Sequence, residues 1–110
     1  MTDDVALLLR RTGFGPTANE LAAARRAGFT ATLAALTAPV GPDIGATRSP
    51  VPPLGSDPYA GRPEPTDAQR VSADERRRVQ ATVLTRWWLD RMTVADHQAT
   101  EKLIFFWHGH

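Results

Sequence analysis

The side chains best suited to chemistry lie together near the C-terminal end of the chain: His97, Glu101, His108 and His110. Imidazole and carboxylate groups serve general acid–base catalysis and metal ligation. On one continuous helix His97, Glu101 and His108 fall within about 40° of each other. His108 and His110 form an H-x-H pair, which suits two metal ligands on an extended strand but points them apart on a helix. The two geometries exclude each other. Glu101, His108 and His110 are therefore the candidate catalytic residues, with His108 and His110 the candidate metal ligands. Zinc or iron needs three or four ligands, and the sequence holds 3 histidines in all. The structural alternative is a partly buried Trp107–His108 pair, its imidazole hydrogen-bonded to backbone or carboxylate, with Glu101 neutralised by an arginine. No cofactor is specified by the spacing.

The element that must position these groups is a helix from about residue 95 to the end, capped by Thr93 and apolar on every side over Leu103-Ile104-Phe105-Phe106-Trp107. A buried strand is the competing reading of those five residues; His-Gln-Ala-Thr-Glu-Lys upstream favours helix. Before it, Ser72-Ala73-Asp74-Glu75 reads as a capping box opening a long helix over about 73–92. Val79, Val83 and Trp87, beside Leu84 and Trp88, give that helix an apolar arc wide enough to be buried against more than one neighbour. Arg91 projects inside this arc. It either snorkels, stacked on Trp87 or bound to last-turn carbonyls, or holds a carboxylate from a neighbouring helix, for which Glu101 is the nearest candidate.

Three short helices are expected before residue 38. The first spans 4–11, with Asp3 and Asp4 at its start and Arg10 and Arg11 at its end, the charge order the helix dipole favours. The second spans 18–27, opened by a Thr17–Glu20 capping box and stopped by Gly28, with Phe29 placed to pack back on it. The third runs from a Thr30 cap to Thr37. From 38 to 66 the chain is rich in proline and glycine, holding 8 of its 9 prolines. It reads as an extended, flexible loop that buries little; it shows no repeated PxxP with flanking arginine. Residues 72–110 are helical again. The fold class is all-α: three short N-terminal helices, a Pro-rich loop, one long helix and a buried C-terminal helix, forming an incomplete domain.

Composition removes several classes of function. With 13 basic and 12 acidic residues and a net charge of +1, no electrostatic case for nucleic-acid binding exists. With 0 cysteines, disulfides, thiolate metal sites and a cysteine nucleophile are excluded. No apolar run is long enough to span a membrane, and the acidic opening Met1-Thr2-Asp3-Asp4 is unlike a secretory signal. A soluble, cytoplasmic protein is expected. The densest apolar run abuts the last residue without cap or polar tail. That arrangement reads as a fragment or truncated reading frame whose partner is the missing C-terminal part of the same domain. The other route is self-association through Phe105, Phe106 and Trp107.

Three segments in order resemble the large bacterial family called DUF1800. They are Leu8-Leu9-Arg10-Arg11-Thr12-Gly13-Phe14-Gly15-Pro16-Thr17 with Glu20-Leu21, Trp88 with Arg91-Met92, and Glu101-Lys102-Leu103 running into Phe106-Trp107-His108-Gly109-His110. The last is similar to that family's EKLxxFWHxHF signature. The resemblance implies a predominantly helical protein several times longer, of which this chain looks like the N-terminal portion. It carries over no catalytic role. It marks Glu101, Trp107, His108 and His110 for test, with Arg10, Arg11 and Arg91 behind them. Two readings follow for function: a metal-dependent or acid–base enzyme built on Glu101, His108 and His110, or a helical scaffold whose FWHGH segment is core.

Overall fold

A computed structural model describes residues 2–110, and its described regular structure is helical throughout. Helix α1 (Asp4–Thr12) is capped by Asp3, whose carboxylate accepts from the Ala6 amide at 3.0 Å. Helix α2 (Ala18–Ala27) starts at the expected box: the Glu20 amide donates to the Thr17 hydroxyl at 3.2 Å, and the Thr17 amide donates to the Glu20 carboxylate at 2.7 Å. It stops at Gly28, whose φ of +89° favours glycine. Asp3 also accepts from Arg25, tying the first two helices together.

Helix α3 (Phe29–Thr37) begins one residue earlier than the expected Thr30 cap, with Gly28 in the capping position. Thr30 thus lies in the first turn. Phe29 is half-exposed and lies across a surface groove from Leu7 and Leu8 of α1.

The long helix α4 (Asp67–Val94) starts six residues before the expected boundary. Thr66 and Gln69 make the capping box: the Gln69 amide donates to the Thr66 hydroxyl at 3.2 Å and the Thr66 amide donates to the Gln69 side chain at 2.9 Å. Ser72–Glu75 has the same pattern, but no breaker separates it from Thr66, so the helix nucleates at the earlier box. Glu75 is left to pair with Arg78 at 2.8 Å. The broad apolar arc of α4 is not covered as expected. Val79, Val83 and Leu84 are exposed, and only Ala73 and Met92 are buried along the helix.

The segment between α3 and α4 holds one short 3₁₀ helix (Ala46–Arg48) and is otherwise irregular, but it is not without partners. It runs as a strap along α4. Trp87 Nε1 donates to the Ser49 carbonyl at 2.8 Å, and Gln80 Nε2 donates to the carbonyls of Leu54 (2.8 Å) and Ser56 (2.9 Å). Arg77 bonds both carboxylate oxygens of Asp57 and stacks over Tyr59, whose hydroxyl donates to Asp74 at 2.5 Å. Hydrophobic composition misses this anchoring because polar side chains on α4 supply it.

Helix α5 (Gln98–His108) starts three residues later than expected. Thr93, the expected cap, remains inside α4 and donates back to the Leu89 carbonyl at 2.9 Å. Its expected burial is not realised: Leu103 to Trp107 are all exposed, and Trp107 keeps 65% of its surface. The five helices reach 63 × 27 × 23 Å with a radius of gyration of 19.7 Å. A compact chain of this length has about 13 Å.

Candidate functional site

The sequence candidates meet where α5 lies against α4 and the α1–α2 turn. At 100° per residue, Gln98, Glu101, Phe105 and His108 share one face of α5, while Leu103, Ile104, Phe106 and Trp107 occupy the other. The contacts agree. Glu101 keeps only 2% of its surface and accepts from Arg91 Nε at 3.0 Å. The same Arg91 guanidinium lies 5.9 Å from the centre of the Trp87 ring, so both roles read for it in the sequence are present together. Phe105 sits edge-on to Phe14 (6.2 Å between centroids) and against Trp88 (5.8 Å). His108 packs edge-on to Trp88 at 4.7 Å.

Lys102 and Gln98 complete the joint by capping neighbouring helices. Lys102 Nζ donates to the carbonyls of Arg10 (3.1 Å) and Gly13 (2.9 Å), closing the C-terminus of α1, where a cation also complements the dipole. Gln98 Nε2 does the same for α4, donating to Met92 (2.8 Å) and Ala95 (2.7 Å). The approach at Gly13 is close: a Cβ there would lie 3.3 Å from the Leu9 carbonyl oxygen and 3.4 Å from Gln98 Cβ.

The remaining candidates separate. The helix carries through His108, so the H-x-H pair takes its divergent geometry: His108 faces Trp88, while His110 stacks on Phe106 at 4.4 Å and contacts the Phe106 carbonyl at 2.8 Å. His97 leaves the shared helical face because it is the residue before α5. Arg10 contributes its carbonyl rather than its guanidinium. Among the described residues, no three His, Cys, Asp or Glu side chains gather as a metal-binding group.

Asp43 was not among the sequence candidates, yet it organises the α4–α5 turn. Its Oδ1 accepts from the amides of Ala46 (2.9 Å) and Asp96 (2.9 Å), and its Oδ2 from the amide of His97 (2.8 Å). The His97 ring nitrogen stands 3.8 Å away. Burial pushes the Asp43 carboxyl up, but the three amide donors outweigh it and hold the group at about 2. Asp96 reciprocates, accepting from the Gly45 amide at 2.8 Å. Beside this turn, Leu9 of α1, Leu36 of α3, Val40 after it and His97 before α5 line a half-open pocket of about 220 Å³.

All three segments that carry the sequence resemblance are thus in direct contact, through Lys102 on Arg10 and Gly13, Arg91 on Glu101, and Phe14, Trp88 and Phe105. A family profile described as "Protein of unknown function (DUF1800)" matches residues 7–110, nearly the whole chain. The chain belongs to the DUF1800 family. No curated protein and no solved structure matches it. In this DUF1800 chain the matched segments form one joint between the start of the chain and α5. No described helix is long and apolar enough to cross a membrane.

Proposed function

We propose that this chain is a helical interaction module in which the Glu101–His108 segment is a structural joint and not a reaction centre. The arrangement of Glu101 carries the reading. A general acid or base must reach a reacting atom, but this carboxylate is buried and bonded to Arg91. His108 packs edge-on against Trp88, and Lys102 and Gln98 direct their donors to helix ends. The side chains of the joint thus serve to fix α1, α4 and α5 against each other. What they leave facing outward is apolar surface on α4 and α5, the usual mark of a protein–protein contact.

The test compares the purified chain with a His108→Ala/His110→Ala variant by elemental analysis and circular dichroism. A protein without stoichiometric metal, whose variant loses helicity or melts earlier, supports a structural joint. Stoichiometric zinc or iron that disappears in the variant overturns it in favour of a metal-dependent enzyme.

A further inference from the structure

We infer that the half-open pocket between α1, α3 and the start of α5 binds a small organic cation, an ammonium group carried on an apolar body, of about nine non-hydrogen atoms in all. Its size limits the ligand. The pocket measures about 220 Å³, whereas an apolar cavity of about 150 Å³ holds benzene. Drug-sized ligands need about 300 Å³ or more, so the occupant is a small molecule. Leu9, Pro16, Leu36 and Val40 make much of the wall apolar, which sets the character of the ligand's body.

The sign of its head group follows from two independent features. The chain has 13 lysines and arginines, and none lines the pocket, while Glu20 and Asp96 both do. Each carboxylate has one oxygen bonded: Glu20 Oε2 accepts from the Thr17 amide and hydroxyl, and Asp96 Oδ2 accepts from the Gly45 amide. Glu20 Oε1 and Asp96 Oδ1 accept no hydrogen bond among the described residues, and both residues are exposed. The second feature is the end of α3, whose last turn gives Ala35 and Leu36 to the wall. Helices α1, α2, α4 and α5 each end with a cap amide donating into the last turn and a basic residue within it. Helix α3 has neither: its last turn holds no basic residue, and its cap residue Ala38 is followed by Pro39, which has no N–H. The Thr37 hydroxyl reaches back to the Leu33 and Ala34 carbonyls, leaving those of Ala35 and Leu36 without a donor among the described residues. The negative pole of a helix and two carboxylates around one apolar pocket suit an ammonium group and repel an anion.

Phenethylamine, a ring with a short tether and one ammonium, and phenylacetate, its anionic counterpart, serve as probes. Each is titrated into the isotope-labelled chain and followed by amide NMR. The amine is expected to saturate with a dissociation constant on the order of 1 mM, moving the amides of Leu36, Val40 and Ala99. Phenylacetate is expected to leave them in place at the same concentration. Glu20→Gln keeps a capping-box side chain and Asp96→Asn keeps an acceptor for the Gly45 amide. Together they should weaken amine binding about fivefold or more, with circular dichroism showing the helices intact. No saturation by about 20 mM, equal shifts with phenylacetate, an unchanged affinity in the folded double variant, or shifts centred on the outer faces of α4 and α5 would overturn the site. The comparison of amine with anion on the native chain decides the matter even where the variant fails to fold.

Discussion

Asp43→Ala should remove most of the acid sensitivity of the α4–α5 turn. The carboxyl is held at about 2 against an ordinary value of 3.8, a difference of nearly two units. At about 1.4 kcal/mol per unit, ionised Asp43 contributes about 2 kcal/mol to the folded state. The sign follows from the direction of the shift. With the folded value depressed, this stability is fully present above about pH 5, where the carboxylate is ionised in both states. It declines as the pH falls toward 2, because protons then bind the unfolded chain first. Three amide donors create the effect, with His97 a lesser contributor.

Urea unfolding followed by helical circular dichroism, at one fixed protein concentration between pH 6 and 2, measures it. The native chain should lose about 2 kcal/mol across pH 5 to 2 beyond the slope of Asp43→Ala, and the variant should start lower by a similar amount at pH 6. Asp43→Asn, which keeps one acceptor oxygen, should fall between them. Parallel pH profiles for native and Asp43→Ala protein would refute the argument, because the amides of Ala46, Asp96 and His97 would then not be holding the anion.

Two other perturbations follow from the same geometry. Arg91→Met strands a buried carboxylate and should cost about 3 kcal/mol, whereas Arg91→Met/Glu101→Met should recover most of the loss; urea unfolding of the single and double variants checks the cycle, and additive losses would contradict it. Gly45→Ala should destabilise by at least ~2 kcal/mol, since its Cβ would stand 2.2 Å from the Val94 carbonyl oxygen, while Gly41→Ala, with nothing within 4 Å, should be close to neutral in the same assay.

The contrast between Thr17–Glu20 and Asp43 marks what the sequence discloses. Capping boxes, charged ends and a stop glycine act within four residues, so α2 was legible to its boundaries. Arg91 was legible as two alternatives, a cation snorkelling onto Trp87 or one holding a carboxylate with Glu101 the nearest candidate, and the sequence alone did not choose between them. Two boxes, at Thr66 and Ser72, match the same local pattern, and local pattern alone does not choose between them. Asp43 gave no signal of that kind: it is one acidic residue in a proline-rich stretch, and its amide partners Asp96 and His97 lie 53 and 54 residues away. The divergence of His108 and His110 depended on whether the segment was helix or strand, which its all-round apolarity left open.

The polar joints and the bare apolar faces have one physical explanation. A satisfied buried ion pair or amide–carboxylate cluster fixes geometry strongly while adding modest net stability. Arg91–Glu101, Asp43 and Lys102 therefore determine how α1, α4 and α5 sit, without supplying the burial that normally offsets chain entropy. Among the described residues the buried apolar ones are Ala6, Ala46, Ala73, Met92 and Ala95, four of them alanine. Large apolar side chains exist in the chain, but the joints direct them outward: Gln98, Glu101 and Lys102 occupy the inner side of α5, so Leu103, Ile104, Phe106 and Trp107 must take the other. Those outward faces on α4 and α5 are the apolar surface on which the interaction-module reading rests. Under the interaction-module reading, binding and folding are linked by mass action, which is why the Asp43 measurement holds protein concentration constant.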